Sequence, residues 1–271
     1  MINDGSGATS VNKSGTGTWV VSGANGYSGG TTVSLGTLVV GNASALGTGA
    51  VNIANGGTVS NGTGGNYAFA DNVTNNGTID SGGYDVSFGS GKTLNGSGLI
   101  EGGGTFTVNG TLSPGNSPGI ISVGAATTLD LTIDTVTIWE IGSVISPVAG
   151  TDYDTFSLNP TAIVNVDGIL DIELIDGVST LDAYWEANHT FTLFGGGGTA
   201  NGVFGGGLTG EYTFTTVSGG TGLFSYADGS PNLVYTYTPV PEPQTWALVA
   251  VGLSVVLFRL RRKALIEQEK V

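Results

Sequence analysis

A chain of 271 residues with no cysteine and a single histidine, His189, must build any chemistry from carboxylates or hydroxyls. Thiol nucleophiles, thiolate metal sites and zinc centres of the His-Glu-x-x-His kind fall away on that count. Serine is plentiful, so composition leaves a serine–histidine–carboxylate triad open. No nucleophile elbow is expected, and His189, in "EANHTFTLF" beside a strand start, reads as a surface or packing residue.

The carboxylates are the stronger candidates. Asp152 and Asp154 in "GTDYDTF" stand two apart and share one face if extended; Asp167, Asp171, Glu173 and Asp176 follow. A glycosidase places two carboxylates about the scissile bond, and a lyase adds groups that neutralise uronate charge to a base. No lysine or arginine lies between Lys92 and Arg259, which argues against gripping an anionic polymer by ion pairs. Oxygen ligands suffice for calcium, so a metal stays open, although neither a D-x-D-x-D-G loop nor a glycine-rich calcium repeat is present. The favoured reading is solvated acids on strand faces, with no catalytic residue and no cofactor. Trp139, Tyr153, Tyr184 and Trp185 offer rings for stacking on sugars, but Trp139 and Tyr153 fall within alternating patterns and read as core.

Those residues must be held by strands. There are 49 glycines, and they alternate with Val, Ile, Leu, Phe, Thr and Tyr, which suit a pleated, half-buried surface. From Gly17 to about Ile120 a loose repeat recurs. An apolar-x-apolar pair (Val33/Leu35, Val51/Ile53, Val86/Phe88, Phe106/Val108) precedes a Gly/Asn turn and then a threonine: Thr37, Thr58, Thr78, Thr93 or Thr111. Asn75 stands where one copy needs its second apolar residue. Short strands ended by glycine or asparagine coil into rungs of roughly 20 residues that stack at about 4.8 Å. The expected fold is all-β: a right-handed parallel β-solenoid (β-helix) over 17–124, after a disordered or truncated remainder at 1–16. Longer alternating strands over 125–238 read as a β-rich cap or a small β-sandwich.

Val20 to Ser60, "VVSGANGYSGGTTVSLGTLVVGNASALGTGAVNIANGGTVS", resembles the autotransporter-associated β-strand repeat of secreted bacterial passenger proteins, which form β-helices. "GTLSPGNSPGIISVG" (Gly110 to Gly124) is similar to the segment that often follows such repeats.

Positive charge is confined to the end. Lys13 and Lys92 face 19 acids before Arg259, whereas Arg259, Arg261, Arg262, Lys263 and Lys270 share the last 13 residues with Glu267 and Glu269. A body this acidic is repelled by phosphate backbones, so nucleic acid is not a partner. Trp246 to Phe258 is an apolar run of 13 residues, about 20 Å as a helix against a hydrocarbon core of roughly 30 Å. A short transmembrane helix is expected over 245–260, with Arg259, Arg261, Arg262 and Lys263 (the cluster 259–263) stopping transfer on the cytoplasmic side. A buried core helix is the alternative, but Pro239, Pro241 and Pro243 mark a boundary and a basic knot follows directly.

The motif at 240–243, Val240, Pro241, Glu242 and Pro243, with the apolar run and the arginines, resembles the PEP-CTERM sorting tail, here 239–271. The resemblance implies export in a Gram-negative bacterium, transient residence in the inner membrane, and processing by a membrane protease, the exosortase. "MINDGSGATS" lacks a basic and an apolar region, so a truncated or misassigned start is expected for an exported protein. An outer-membrane barrel is not expected, since no set of amphipathic strands follows the repeats. The functional expectation is a non-enzymatic surface or extracellular-matrix protein, structural or adhesive, associated with exopolysaccharide or biofilm. The alternative is a polysaccharide-active β-helix enzyme, a glycoside hydrolase or lyase, using the acidic cluster.

Overall fold

Alternating segments too short to bury a face alone gain a core only by stacking on their neighbours. The computed structural model, which describes residues 1–115 and 118–240, shows this stacking throughout. The protein is all-β, with parallel strands in three sheets of nine, eight and six strands and a fourth, antiparallel sheet of four. The first sheet runs from Val11–Lys13 to Gly207–Gly210, the second from Thr18–Val21 to Phe194–Gly195, the third from Tyr67–Phe69 to Thr199–Gly202. From Tyr67 onward each turn of the chain visits the third, first and second sheets in order, as a β-solenoid does.

Register aligns the apolar residues into columns. In the first sheet Val11, Thr31, Val51, Val73, Leu94, Leu112, Thr137 and Leu170 succeed one another. In the second, Leu38, Val59, Ile79, Ile100, Val123 and Leu158 do the same. In the third, Tyr67, Val86, Phe106, Leu129 and Val164 form one column; in the other, Phe88 lies flat on Phe69, with rings 5.1 Å apart. Apart from Val11, Thr31 and Thr137, these side chains share one buried core.

The repeat read from the sequence crosses two sheets. Thr37, Thr58 and Thr78 stack in the second, but Thr93 pairs with Thr111 in the first. The first three copies run from first sheet to second, the later ones from third to first, because all three sides carry the same alternation. The pair Val33/Leu35 is displaced too: Val33 is buried opposite Ile53, while Leu35 lies in the turn, 40% exposed. Asn75 is an inward residue. It donates to the carbonyl of Leu99 in the next rung and accepts from the N–H of Gly77 in its own, so both its amide nitrogen and its oxygen find partners in the core.

Two further features depart from the sequence reading. Residues 1–16 include a paired strand, Val11–Lys13, and Ile2 and Asp4 bond to the turn at 25–28. At the other boundary, residue 124, the parallel ladder does not break: Thr105–Val108 pairs with Thr128–Leu131, and Ile120–Val123 with Thr155–Leu158. The texture changes there because the rungs lengthen by insertions between the first and second sheets, at 142–154 and 175–193. The second insertion supplies His189–Thr192, an edge strand of the antiparallel sheet whose order continues with Asn232–Thr238, Thr221–Tyr226 and Thr213–Thr215. Phe191 and Phe224 from this sheet meet Trp139 of the first sheet, so the sheet seals the solenoid at this end. No helix among the described residues is long and apolar enough to cross a membrane. The expected helix over 245–260 lies outside the described residues.

Candidate functional site

Asp154 ends the first insertion and is fully buried. One carboxylate oxygen accepts the N–H of Gly119 at 2.7 Å and the other the N–H of Glu140 at 3.0 Å, while its carbonyl takes the indole N–H of Trp139 at 2.6 Å. Burial pushes its carboxyl up to about 8; the two N–H donors act in the opposite direction and the charge of Glu140 adds to the rise. Asp152, in the same loop, closes a turn by accepting the N–H of Val148 at 2.8 Å. The two acids expected to share a face therefore do not: one holds a turn and the other is sealed inside, because the segment is a loop entering a strand.

The remaining acids do not converge on them. Asp171 accepts the hydroxyl of Thr209 at 2.9 Å on the outer face of the first sheet. Glu173 lies beside Glu140 across the parallel ladder, and Asp167 and Asp176 are exposed. Among the described residues no group of three or more His, Asp or Glu is placed to hold a metal ion.

His189 is half-buried. Its ring stacks on Tyr184 at 3.6 Å, and its Nε2–H donates to the Tyr184 carbonyl. Trp139 and Trp185 are fully buried, and Tyr153 is 6% exposed. Tyr153 packs edge-on to Phe191, and Trp185 to Phe214 and Tyr235. These rings form the seal of the solenoid and no platform for sugars. Gly-x-Ser-x-Gly strings do occur in the sequence, at 26–30 and at 115–119; the first joins strands of two different sheets and no helix follows it. Its Ser28 N–H donates to Asp4, so it lacks the strand–turn–helix setting of an elbow.

Lys13 was also not anticipated as a core residue. It points inward in the column of Val33 and Ile53, fully buried, and its ammonium donates to the carbonyls of Gly15 at 2.6 Å and Leu35 at 2.8 Å under the ring of Trp19. Two carbonyl acceptors and the ring face let the ammonium sit inside the rung.

Of the sorting residues, Val240 is described and 52% exposed; Pro241, Glu242, Pro243, Arg259, Arg261, Arg262 and Lys263 lie outside the described residues. Val240 follows Asn232–Thr238, an inner strand of the antiparallel sheet, after a single proline. Tyr237 is held twice, its N–H by Asn188 and its hydroxyl by Ser218, both at 2.8 Å. The fold thus delivers the motif directly from a fixed strand end.

Two family models match the chain at these places. Residues 11–40 match the passenger-associated-transport repeat, and residues 239–263 match the PEP-CTERM protein-sorting motif. The first match covers the first two strands of both the first and second sheets, beginning at Val11 and ending with Gly36–Val40. The chain thus joins a repeat of transported passenger proteins to an exosortase sorting tail. No curated protein matches the chain.

Proposed function

We propose that this is a non-enzymatic structural or adhesive protein of the bacterial surface or extracellular matrix, held among exopolysaccharide or biofilm after its tail is processed. The observation that carries the reading is the sorting motif at 239–263, placed straight after the last strand of a stacked β-body. Support also comes from the acids. Of the acids that a polysaccharide-cleaving reading would use, Asp154 has both carboxylate oxygens, and Asp152 one, engaged by backbone N–H groups. A general acid or base needs its carboxyl within hydrogen-bond reach of substrate, and a fully buried one has no such reach.

The test is the mature C-terminus. The chain, given an export signal and produced in a bacterium with the sorting protease, is recovered from surface and shed fractions and its last peptide read by mass spectrometry. The expected end lies near Pro241 to Pro243; an intact Val271 in the membrane fraction makes the tail a plain anchor and removes the sorting claim. The same material is offered neutral and acidic glycans. Retention on biofilm polymer without turnover is expected, and turnover lost in Asp154→Asn overturns the structural reading.

A further inference from the structure

The tail leaves the body at one defined place. Asn232–Thr238 pairs along its length with Thr221–Tyr226 and through its first four residues with His189–Thr192, so the strand cannot pay out extra chain. Between Thr238 and the apolar run that starts at Trp246 stand the residues 239–245. Fully extended at 3.3–3.6 Å each, they reach no further than about 25 Å. Whichever surface surrounds Val240 is therefore held within that distance of any membrane the tail enters.

That surface is the turn at 216–220, joining Thr213–Thr215 to Thr221–Tyr226. The turn is closed by the Thr216 N–H on the Gly220 carbonyl at 2.9 Å, and Gly219 lies next to Val240. Ser218 pins it to the body, donating its N–H to Glu186 at 2.8 Å and meeting the Tyr237 hydroxyl. Thr216, Val217, Ser218, Gly219 and Gly220 carry no charge themselves, and the carboxylate beside them, Glu186, is engaged by the Ser218 N–H, in a body whose 18 acids would be repelled by an anionic leaflet. Val217 at its tip is 57% exposed and Val240 beside the exit 52%.

We infer that the turn 216–220 and Val240 form a membrane-contacting face, with Val217 and Val240 resting in the lipid headgroup zone while the tail is inserted. The inference rests on the sorting reading and adds the surface and the partner: a lipid bilayer. It also sets the rod's direction. The first sheet has nine strands, eight steps of about 4.8 Å, so the first rung lies about 40 Å along the rod from the sealed end.

The absence of cysteine makes single labels unambiguous. Full-length chains carrying Val217→Cys, Thr18→Cys or Val251→Cys are labelled with a fluorophore, reconstituted into vesicles that contain no protease, and exposed to headgroup- and chain-borne quenchers. The Val251 label reports whether the tail is inserted. With that label quenched, the Val217 label should lose about half or more of its emission to the headgroup quencher, and the Thr18 label almost none, given an interfacial zone only several Å deep. Val251 quenched with Val217 as bright as Thr18 overturns the membrane face and leaves the sorting reading standing. Val251 unquenched overturns the inserted tail, and the face with it. Quenching of Val217 that appears only when the sorting protease is added assigns the face to a protein and overturns the lipid assignment.

Discussion

Asp154 ties two backbone segments together, Gly119 at the entry to Ile120–Val123 and Glu140 near the end of Val136–Ile141. Its carboxyl titrates at about 8 in the fold against an ordinary 3.8, so the folded state binds the proton more tightly than the unfolded one. The stabilisation linked to that proton is fully present below about pH 4 and is lost as pH rises through about 8; its upper bound is about 6 kcal/mol. Asp154→Asn cannot titrate and turns an amide N–H towards one of the two N–H donors, costing about 1–3 kcal/mol relative to the protonated acid. Urea melts of both proteins at acid, neutral and alkaline pH should show a stability gap that is widest in acid and shrinks through about pH 8. A gap that widens with pH would mean the carboxyl is ionised inside the fold.

Between elements, the spacing of the rungs is set by backbone contact at the corners. Gly104 links Leu99–Glu101 to Thr105–Val108, and a Cβ there would overlap the carbonyl oxygen of Tyr84 in the rung below. Gly104→Ala should lower the urea midpoint by the equivalent of about 1–3 kcal/mol with an unchanged slope. Gly89→Ala, in a turn where a Cβ meets nothing within 4 Å, should stay within about 0.5 kcal/mol. Equal losses at both sites would show that backbone freedom, and not contact between rungs, governs these corners. Much of this layer was legible in advance, since Val51/Ile53, Val86/Phe88 and Phe106/Val108 are inward pairs. What alternation does not carry is the identity of the side. A strand with period two looks the same on any of three faces, so Thr93 and Thr111 were placed in a file that belongs to Thr37, Thr58 and Thr78. The acids misled for a related reason. Asp154 reads as a solvated acid because charge usually is, and nothing in the string marks Lys13 as inward; only the tertiary positions of Gly119, Glu140, Gly15 and Leu35 supply their partners. The sorting tail needs no fold to be read, since its motif lies along one stretch of chain, 239–263, that the family model also matches.

For the molecule as a whole, stacking makes stability a sum over neighbours, and the two ends are unequal. At the sealed end, Phe191 and Phe224 close over Trp139, and Tyr235 donates its hydroxyl to the Trp185 carbonyl at 2.8 Å. At the other end, Val11–Lys13 and Thr18–Val21 pair on one side only, and Trp19, in register with the buried Leu38, is 46% exposed. A rung with one neighbour opens at lower free energy than a rung with two, and its amides exchange sooner. Native-state hydrogen exchange should therefore be fastest at 11–21, slower at 31–40, and slowest through the rungs from Val86 to Leu174, where each strand is covered on both sides. Uniform protection would show that the rod opens as a single unit, and a gradient starting from the antiparallel sheet would show that the seal is its weak point. The order matters for sorting. A rod that frays from its first rung keeps Asn232–Thr238 fixed, and with it the exit of the tail, while the end furthest from the membrane absorbs the strain.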